Sequence, residues 1–203
     1  HTPDGVDLEV GGTVEDQGDA FGDLGVLFIL IVILVYIVMA TQFESLLFPF
    51  IIMFTIPFAF TGVFLALWMT STPLSLIALI GAIMLVGIVT KNGIVMVDYM
   101  NLLVERGSGV FDAVIAGGKS RLRPVLMTSF TTILGMLPLA IGTGAGSETW
   151  QPMGIAVIGG LTCSTLLTLF IIPALYSVFV NRSQRKEKEK LARLSAEHQA
   201  SVH

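Results

Sequence analysis

A lysine and an asparagine interrupt an otherwise apolar stretch of this sequence. Residues 86–99 read VGIVTKNGIVMVDY, with Lys91 and Asn92 near the middle. Insertion of a lysine at the centre of a membrane helix costs about 2.5–3.5 kcal/mol. Ionisable residues in such helices therefore usually belong to a substrate or ion pathway. Two explanations stay open: a functional charge inside a helix bundle, or a lysine that reaches the membrane surface and only anchors its helix. The polar neighbours Thr90 and Asn92 favour the bundle interior.

A buried ammonium group needs a nearby anion, or it loses its proton. Asp98 is seven positions from Lys91, on the same helix face but about 10 Å further along the axis. The other nearby carboxylates lie in turns or loops, namely Glu44, Asp112 and Glu148. No carboxylate of the sequence matches the depth of Lys91. We therefore expect its partner to come from helices outside these residues, and the chain to be a fragment.

Arg121 and Thr128 form a second candidate pair. They are seven residues apart, so on a helix they project from nearly the same face, two turns from each other. A hydroxyl that packs between helices explains Thr128 equally well. Arg123 is better explained by the positive charge of a cytoplasmic loop.

The apolar segments offer no catalytic arrangement of side chains. They contain no Ser/His, Cys/His or paired-carboxylate set, and the three histidines stand at the chain ends: His1, His198 and His203. No metal-ligand spacing and no phosphate loop after a strand is found either. The sequence therefore argues against an enzyme, a metal site and a nucleic-acid partner.

The composition is that of a membrane protein. The chain is 54% hydrophobic and 13% charged, whereas a soluble domain carries about 25% charged residues. A helix needs about 20 mostly apolar residues to cross a hydrocarbon core of roughly 30 Å. Five segments approach or meet that length: Leu24–Ala40, Leu46–Met69, Leu74–Tyr99, Pro124–Ile141 and Met153–Val180. With their flanks, the predicted helices are 24–40, 46–69, 74–105, 121–141 and 150–180. The predicted fold is an all-α membrane protein of five transmembrane helices, preceded by a short periplasmic segment.

The basic residues predict the orientation of this bundle. All Lys and Arg residues except Lys91 lie in or beside the link 104–124 or in the tail 181–203. Basic residues in short loops mark the cytoplasmic side. Residues 1–23 are acidic and contain no Lys or Arg, so five crossings place them outside. Within the link, residues 111–118 (FDAVIAGG) are expected to form a small helix along the inner surface.

Small residues and prolines occur at intervals within the apolar segments. Glycines favour close helix approach in lipid, and we expect them at helix contacts; they are Gly81, Gly87, Gly93, Gly135, Gly154, Gly159 and Gly160. Proline removes a backbone hydrogen bond, which neighbouring groups must compensate in a membrane helix. The prolines concerned are Pro57, Pro138 and Pro173.

Four stretches of the sequence, in this order, resemble the resistance–nodulation–division (RND) permeases. They read YIVMATQFESLLFPFIIMFTIPFAFTG, GIVTKNGIVMVDYMN, RLRPVLMTSFTTILGMLPLAIGTGAGSE and MGIAVIGGLTCSTLLTLFIIPALYSVF. The resemblance runs from about Val10 to Val180 and is strongest to the hydrophobe/amphiphile (multidrug) efflux branch. The KN pair, Lys91 and Asn92, argues against the heavy-metal branch.

The resemblance implies an architecture and an activity. RND permeases have twelve transmembrane helices in two repeated halves, each with a large periplasmic porter region. Residues 1–23 would end the second porter region, 24–180 would be the last five helices, and 181–203 a cytoplasmic tail. The family works as homotrimers in the bacterial inner membrane, with a periplasmic adaptor and an outer-membrane channel. It exchanges inward protons for outward amphiphilic substrates, so no cofactor is expected beyond the proton gradient.

The resemblance also implies a proton relay. The family's relay contains a lysine in the KN motif, an arginine that begins RLRP and a threonine in LMTS. The corresponding residues, with the adjacent amide, are Lys91, Asn92, Arg121 and Thr128. The aspartates that complete the relay lie on a helix of the first half, which matches the missing anion. The alternative function is an RND-like receptor or scaffold that senses lipid without transport. The sequence does not specify the substrate, because the family's drug contacts lie in the porter regions.

Overall fold

The computed structural model describes residues 13–144 and 146–201, and the side chains of 16–144 and 146–180. All secondary structure within these residues is helical, which confirms the predicted all-α fold. The helices are α1 (Thr13–Phe43), α2 (Leu47–Met53), α3 (Thr55–Met69), α4 (Leu76–Glu105), α5 (Val110–Ile141) and α6 (Ser147–Ser201).

The described residues contain five helical segments that are long and apolar enough to cross a membrane. They are Asp16–Phe43, Leu47–Met69, Leu76–Glu105, Val110–Ile141 and Ser147–Val180. Each overlaps one predicted segment, which confirms the five-helix bundle. Ser75 caps the start of α4, where its Oγ accepts a 3.2 Å hydrogen bond from the backbone N–H of Ala78, as expected for a serine at this position.

The second crossing is divided between α2 and α3 at Phe54. The cause is Pro57, which has no N–H and cannot donate to the carbonyl of Met53 four residues earlier. Next to the interruption, the Thr55 hydroxyl donates a 2.6 Å hydrogen bond to the carbonyl of Ile52. The expected loss of a backbone hydrogen bond at this proline therefore appears as a local break in an otherwise continuous crossing.

Helices α1, α5 and α6 extend further than the sequence predicted. The structure begins α1 at Thr13, so residues 13–23 are helical, while residues 1–12 of the predicted periplasmic segment lie outside the described residues. The expected separate helix at 111–118 is wrong, because these residues form the first turns of α5. The reason is packing: Ala113 is buried, and a Cβ on Gly117 would lie 2.7 Å from Cγ of Met100, so the start of α5 lies directly against the end of α4.

The C-terminal helix is central to the bundle. Helix α6 packs against α3, α4 and α5, whereas α1 lies at the edge and contacts α2 and α4. It continues past Val180 to Ser201; the side chains of the predicted tail, 181–203, lie outside the described ones. One buried cluster joins α3, α4 and the first half of α6, and a second joins α4 to the region around Tyr176.

Close approach of α3 and α6 depends on glycine. A Cβ on Gly62 would lie 2.7 Å from the carbonyl oxygen of Gly159, and a Cβ on Gly160 would lie 2.8 Å from Cγ2 of Val63. The expected glycine contacts are thus confirmed here. They are absent at Gly87 and Gly135, where an added Cβ would meet no described atom within 4 Å.

Candidate functional site

The candidate residues lie on two neighbouring helices. Helices α4 and α5 are joined by the short link 106–109, so they run antiparallel. Gly107 adopts a φ of 90° in this link, a conformation that glycine takes without steric cost. Helix α5 ends in the same way at Gly142, with a φ of 73°.

A cavity of about 380 Å³ lies between α4 and α5. Helix α4 contributes Ile88, Lys91 and Asn92; helix α5 contributes Met127, Thr128, Ser129, Thr131 and Thr132. Three of the four predicted relay residues therefore line one cavity, which we call the α4–α5 cavity. Among the residues described, none that lines it carries a carboxylate.

Lys91 also borders a second cavity, of about 310 Å³, between α1 and α4. The other lining residues are apolar except Thr90, which is buried. Over the residues with described side chains, Lys91 is exposed. Its side chain thus lies on the open side of α4, flanked by α1 and α5, and only groups outside these residues could bury it. The sequence-based expectation of an anion from elsewhere is compatible with this placement.

Thr128 is tied to its own helix. Its hydroxyl lies 2.9 Å from the carbonyl oxygen of Val125 and 3.2 Å from that of Pro124, and donates to these groups. The hydroxyl oxygen still has lone pairs that can accept a hydrogen bond. Thr128 can therefore act as an acceptor in the α4–α5 cavity.

Arg121 is not among the residues that line the cavity. Its guanidinium carbon lies over the ring of Tyr99, 4.5 Å from the ring centroid. Nε of Arg121 is buried and has no hydrogen-bond partner among the described residues.

Tyr99 is a residue that sequence reasoning missed. The available signal was spacing. Tyr99 lies eight residues after Lys91 on α4, and Arg121 lies seven residues before Thr128 on the antiparallel α5, so Tyr99 and Arg121 lie at a similar level.

One wall of the cavity is bonded to the central helix. The hydroxyls of Ser129 and Thr165 are both buried and lie 2.9 Å apart. Because Ser129 also lines the α4–α5 cavity, this bond connects the cavity to α6. Further along α6, the buried Tyr176 hydroxyl donates a 2.6 Å hydrogen bond to Oδ1 of Asn101 on α4.

The described part of the chain contains no group of three or more His, Cys, Asp or Glu side chains that could hold a metal ion. The polar side chains that do converge are an amine, an amide and hydroxyls. This set can exchange hydrogen bonds and can attract an anion, which are the capacities that a charge relay requires.

Comparisons with known proteins place this chain in a family. Residues 1–180 match the family model described as the AcrB/AcrD/AcrF family. The swarming motility protein SwrC of Bacillus subtilis is 39% identical over 91% of the chain. The cobalt-zinc-cadmium resistance protein CzcA of Cupriavidus metallidurans is 38% identical over 92%. The multidrug resistance protein MdtC of Erwinia tasmaniensis is 44% identical over 76%.

The chain spans only 18%, 17% and 15% of the lengths of these three relatives. A crystal structure of a heavy metal efflux pump superposes with a TM-score of 0.77 at 31% identity, over 88% of this chain and 18% of that one. Since the relatives include metal-resistance and multidrug-resistance proteins, they support the family without separating its branches. The sequence, the five-helix bundle and these matches together show that the chain belongs to the AcrB/AcrD/AcrF family of RND permeases.

Proposed function

We propose that this chain is the C-terminal part of a proton-driven RND permease that exports amphiphilic compounds or drugs by proton antiport. The observation that carries the proposal is the α4–α5 cavity, where an amine, an amide and a hydroxyl from two helices converge on the open side of an apolar bundle. The proposed relay comprises Lys91, Asn92, Arg121 and Thr128.

The relay would use the charge of Lys91 as a switch. Carboxylates from the preceding part of the protein would pair with its ammonium group, because the described lining of both cavities provides none. Protonation of a carboxylate would weaken that pair and release Lys91 toward Asn92 and Thr128, which line the same cavity. The driving force is adequate, since one charge that crosses a potential of 100 mV gains about 2.3 kcal/mol.

The assembly is proposed from the family. The full-length protein would be a homotrimer in the bacterial inner membrane, with residues 1–23 in the periplasm and the 181–203 tail in the cytoplasm. It would work with a periplasmic adaptor and an outer-membrane channel. The positive charges of the link and of the tail support this orientation.

The test is a Lys91→Met variant of the full-length permease, reconstituted in proteoliposomes with an imposed pH gradient. Ethidium serves as the amphiphilic probe, and a trapped pH dye reports proton movement. We expect the variant to lose both ethidium transport and ethidium-dependent proton flux, while it still inserts and elutes as a trimer. Lys119→Met is the matched control, because Lys119 is exposed on α5 and lines neither cavity. Normal antiport in the Lys91 variant would refute the relay assignment.

Metal export is the second candidate, favoured by the likeness to CzcA and to the heavy metal efflux pump. The same proteoliposomes distinguish the two when zinc replaces ethidium. Proton flux that depends on zinc and not on ethidium would assign the metal branch. A protein that moves neither probe, with or without the pH gradient, would instead support the lipid-sensing receptor.

A further inference from the structure

The stacking of Arg121 on Tyr99 points to a role for a residue outside the proposed relay. We infer that Tyr99 is a positioning residue, whose ring holds the Arg121 guanidinium in a fixed orientation beyond one end of the α4–α5 cavity. This inference rests on the proposed function, because it concerns an arginine of the proposed relay.

The two residues form a second layer beside the cavity. Tyr99 lies eight residues beyond Lys91, or about 12 Å along α4, and Arg121 lies seven residues before Thr128, or about 10 Å along α5. Because the helices are antiparallel, both displacements point the same way. The 4.5 Å distance from the guanidinium carbon to the ring centroid shows that the two side chains meet at this level. The guanidinium is therefore held about two turns from the cavity lining.

The surroundings of Arg121 give the ring an energetic role. The side chain is half-buried, and Nε is fully buried without a hydrogen-bond partner among the described residues. A guanidinium group attracts the π face of an aromatic ring, and the attraction increases as water is removed. The ring of Tyr99 is thus a contact that compensates for the burial of this cation.

The consequence for the relay is orientation rather than charge. An arginine side chain has several rotatable bonds, so it adopts many orientations unless a contact fixes it. Stacking selects one plane for the guanidinium, so its N–H groups keep a constant direction while neighbouring groups change protonation. Without the ring the charge persists, but the group must be oriented again in each transport cycle.

The experiment weakens the ring's electrostatics without changing its size. In the full-length permease, position 99 is replaced by phenylalanine and then by mono-, di- and trifluorophenylalanine through nonsense suppression. Fluorine withdraws electron density from the ring face, so each step reduces the attraction for the cation. We expect Tyr99→Phe to retain most ethidium transport, and the rate to fall stepwise to about a tenth with three fluorines, a change that corresponds to about 1.4 kcal/mol.

The same series at Phe111 is the matched control. Phe111 lies on α5, is 69% exposed and has no ring–cation contact among the described side chains, so its series should leave transport unchanged. Trimer elution and thermal stability should be constant in both series. If the phenylalanine variant fails to assemble, Tyr99→Trp should retain transport and Tyr99→Leu should lose it.

The outcomes separate this inference from the proposed function. Arg121→Ala with normal transport would refute the role of Arg121 in the relay, and with it this inference. Loss of transport in Arg121→Ala, combined with a flat fluorination series or an active Tyr99→Leu variant, would overturn only the role of Tyr99.

Discussion

The hydroxyl of Ser129 on α5 lies 2.9 Å from the hydroxyl of Thr165 on α6, and both side chains are buried. Because Ser129 also lines the α4–α5 cavity, the bond fixes the rotation of α5 about its axis relative to the central helix. Hydrogen bonds between membrane helices average about 0.6 kcal/mol and reach about 1.7 kcal/mol. A bond of this size adds little to the stability of the whole fold, and its main effect is to hold one wall of the cavity in place.

The Thr165→Val substitution removes the partner of Ser129 while keeping the shape of the side chain. We expect it to lower the free energy of unfolding by about 1 kcal/mol, because the Ser129 hydroxyl is left buried and unpaired. Detergent-driven unfolding of the full-length permease measures the change. Thr162→Val is the control, since that hydroxyl is exposed and its one hydrogen bond among the described residues is to the carbonyl of Ile158 on its own helix. Equal stability of the two variants would contradict the prediction.

The same substitution three residues further along α6 should not lower the stability. Oγ1 of Thr168 is buried and has no hydrogen-bond partner among the described residues. Thr168→Val removes an unsatisfied polar group, which costs about 1–3 kcal/mol when left buried, so we expect unchanged or increased stability. The same unfolding titration measures it, and a clear loss of stability would show that this hydroxyl is bonded in the full-length protein.

Gly62 is where α3 and α6 come closest to backbone contact. A Cβ there would lie 2.7 Å from the carbonyl oxygen of Gly159, and overpacking of this kind costs about 1–3 kcal/mol. Gly62→Ala should therefore lower the thermal midpoint and the yield of folded protein. Gly135→Ala, where an added Cβ meets no described atom within 4 Å, should leave both unchanged. Similar behaviour of the two variants would argue against a close crossing.

Tyr176 connects α6 to α4 at the opposite end from these glycines. Tyr176→Phe removes the hydroxyl that donates the 2.6 Å hydrogen bond to Asn101 and keeps the ring stacked on Phe48, at 5.8 Å between centroids. We expect a loss of about 1 kcal/mol in the free energy of unfolding. Tyr36→Phe, which removes an exposed 3.2 Å bond to the carbonyl of Leu46, should cost less. A larger effect at Tyr36 would contradict this assignment.

The crossings could be predicted from the sequence because each depends on a local property, the length of an apolar run. The start of α5 could not be predicted in this way. Residues 110–123 are too polar to read as a membrane segment, and their helical continuity depends on the contact of Gly117 with Met100, which joins two helices.

The candidate site was predicted in part for a similar reason. Lys91 and Asn92 are conspicuous because they interrupt an apolar segment, and the resemblance to the family identified Thr128. The stacking of Tyr99 on Arg121 and the bond from Ser129 to Thr165 depend on how far neighbouring helices slide and rotate against each other. A one-residue shift of α5 would move every residue on it by 100°, and the pattern of apolar residues does not set that shift.

The position of α6 has a consequence for how the protein is made. Helices α3, α4 and α5 all pack against it, yet it leaves the ribosome after them. During translation, Gly62 of α3 and the hydroxyl of Ser129 therefore enter the membrane before their partners on α6 have been made. Because α3 packs on α4 and α4 packs on α5, these helices can meet before α6 emerges, but a chain that stops before Ser147 would lack the helix on which all three pack.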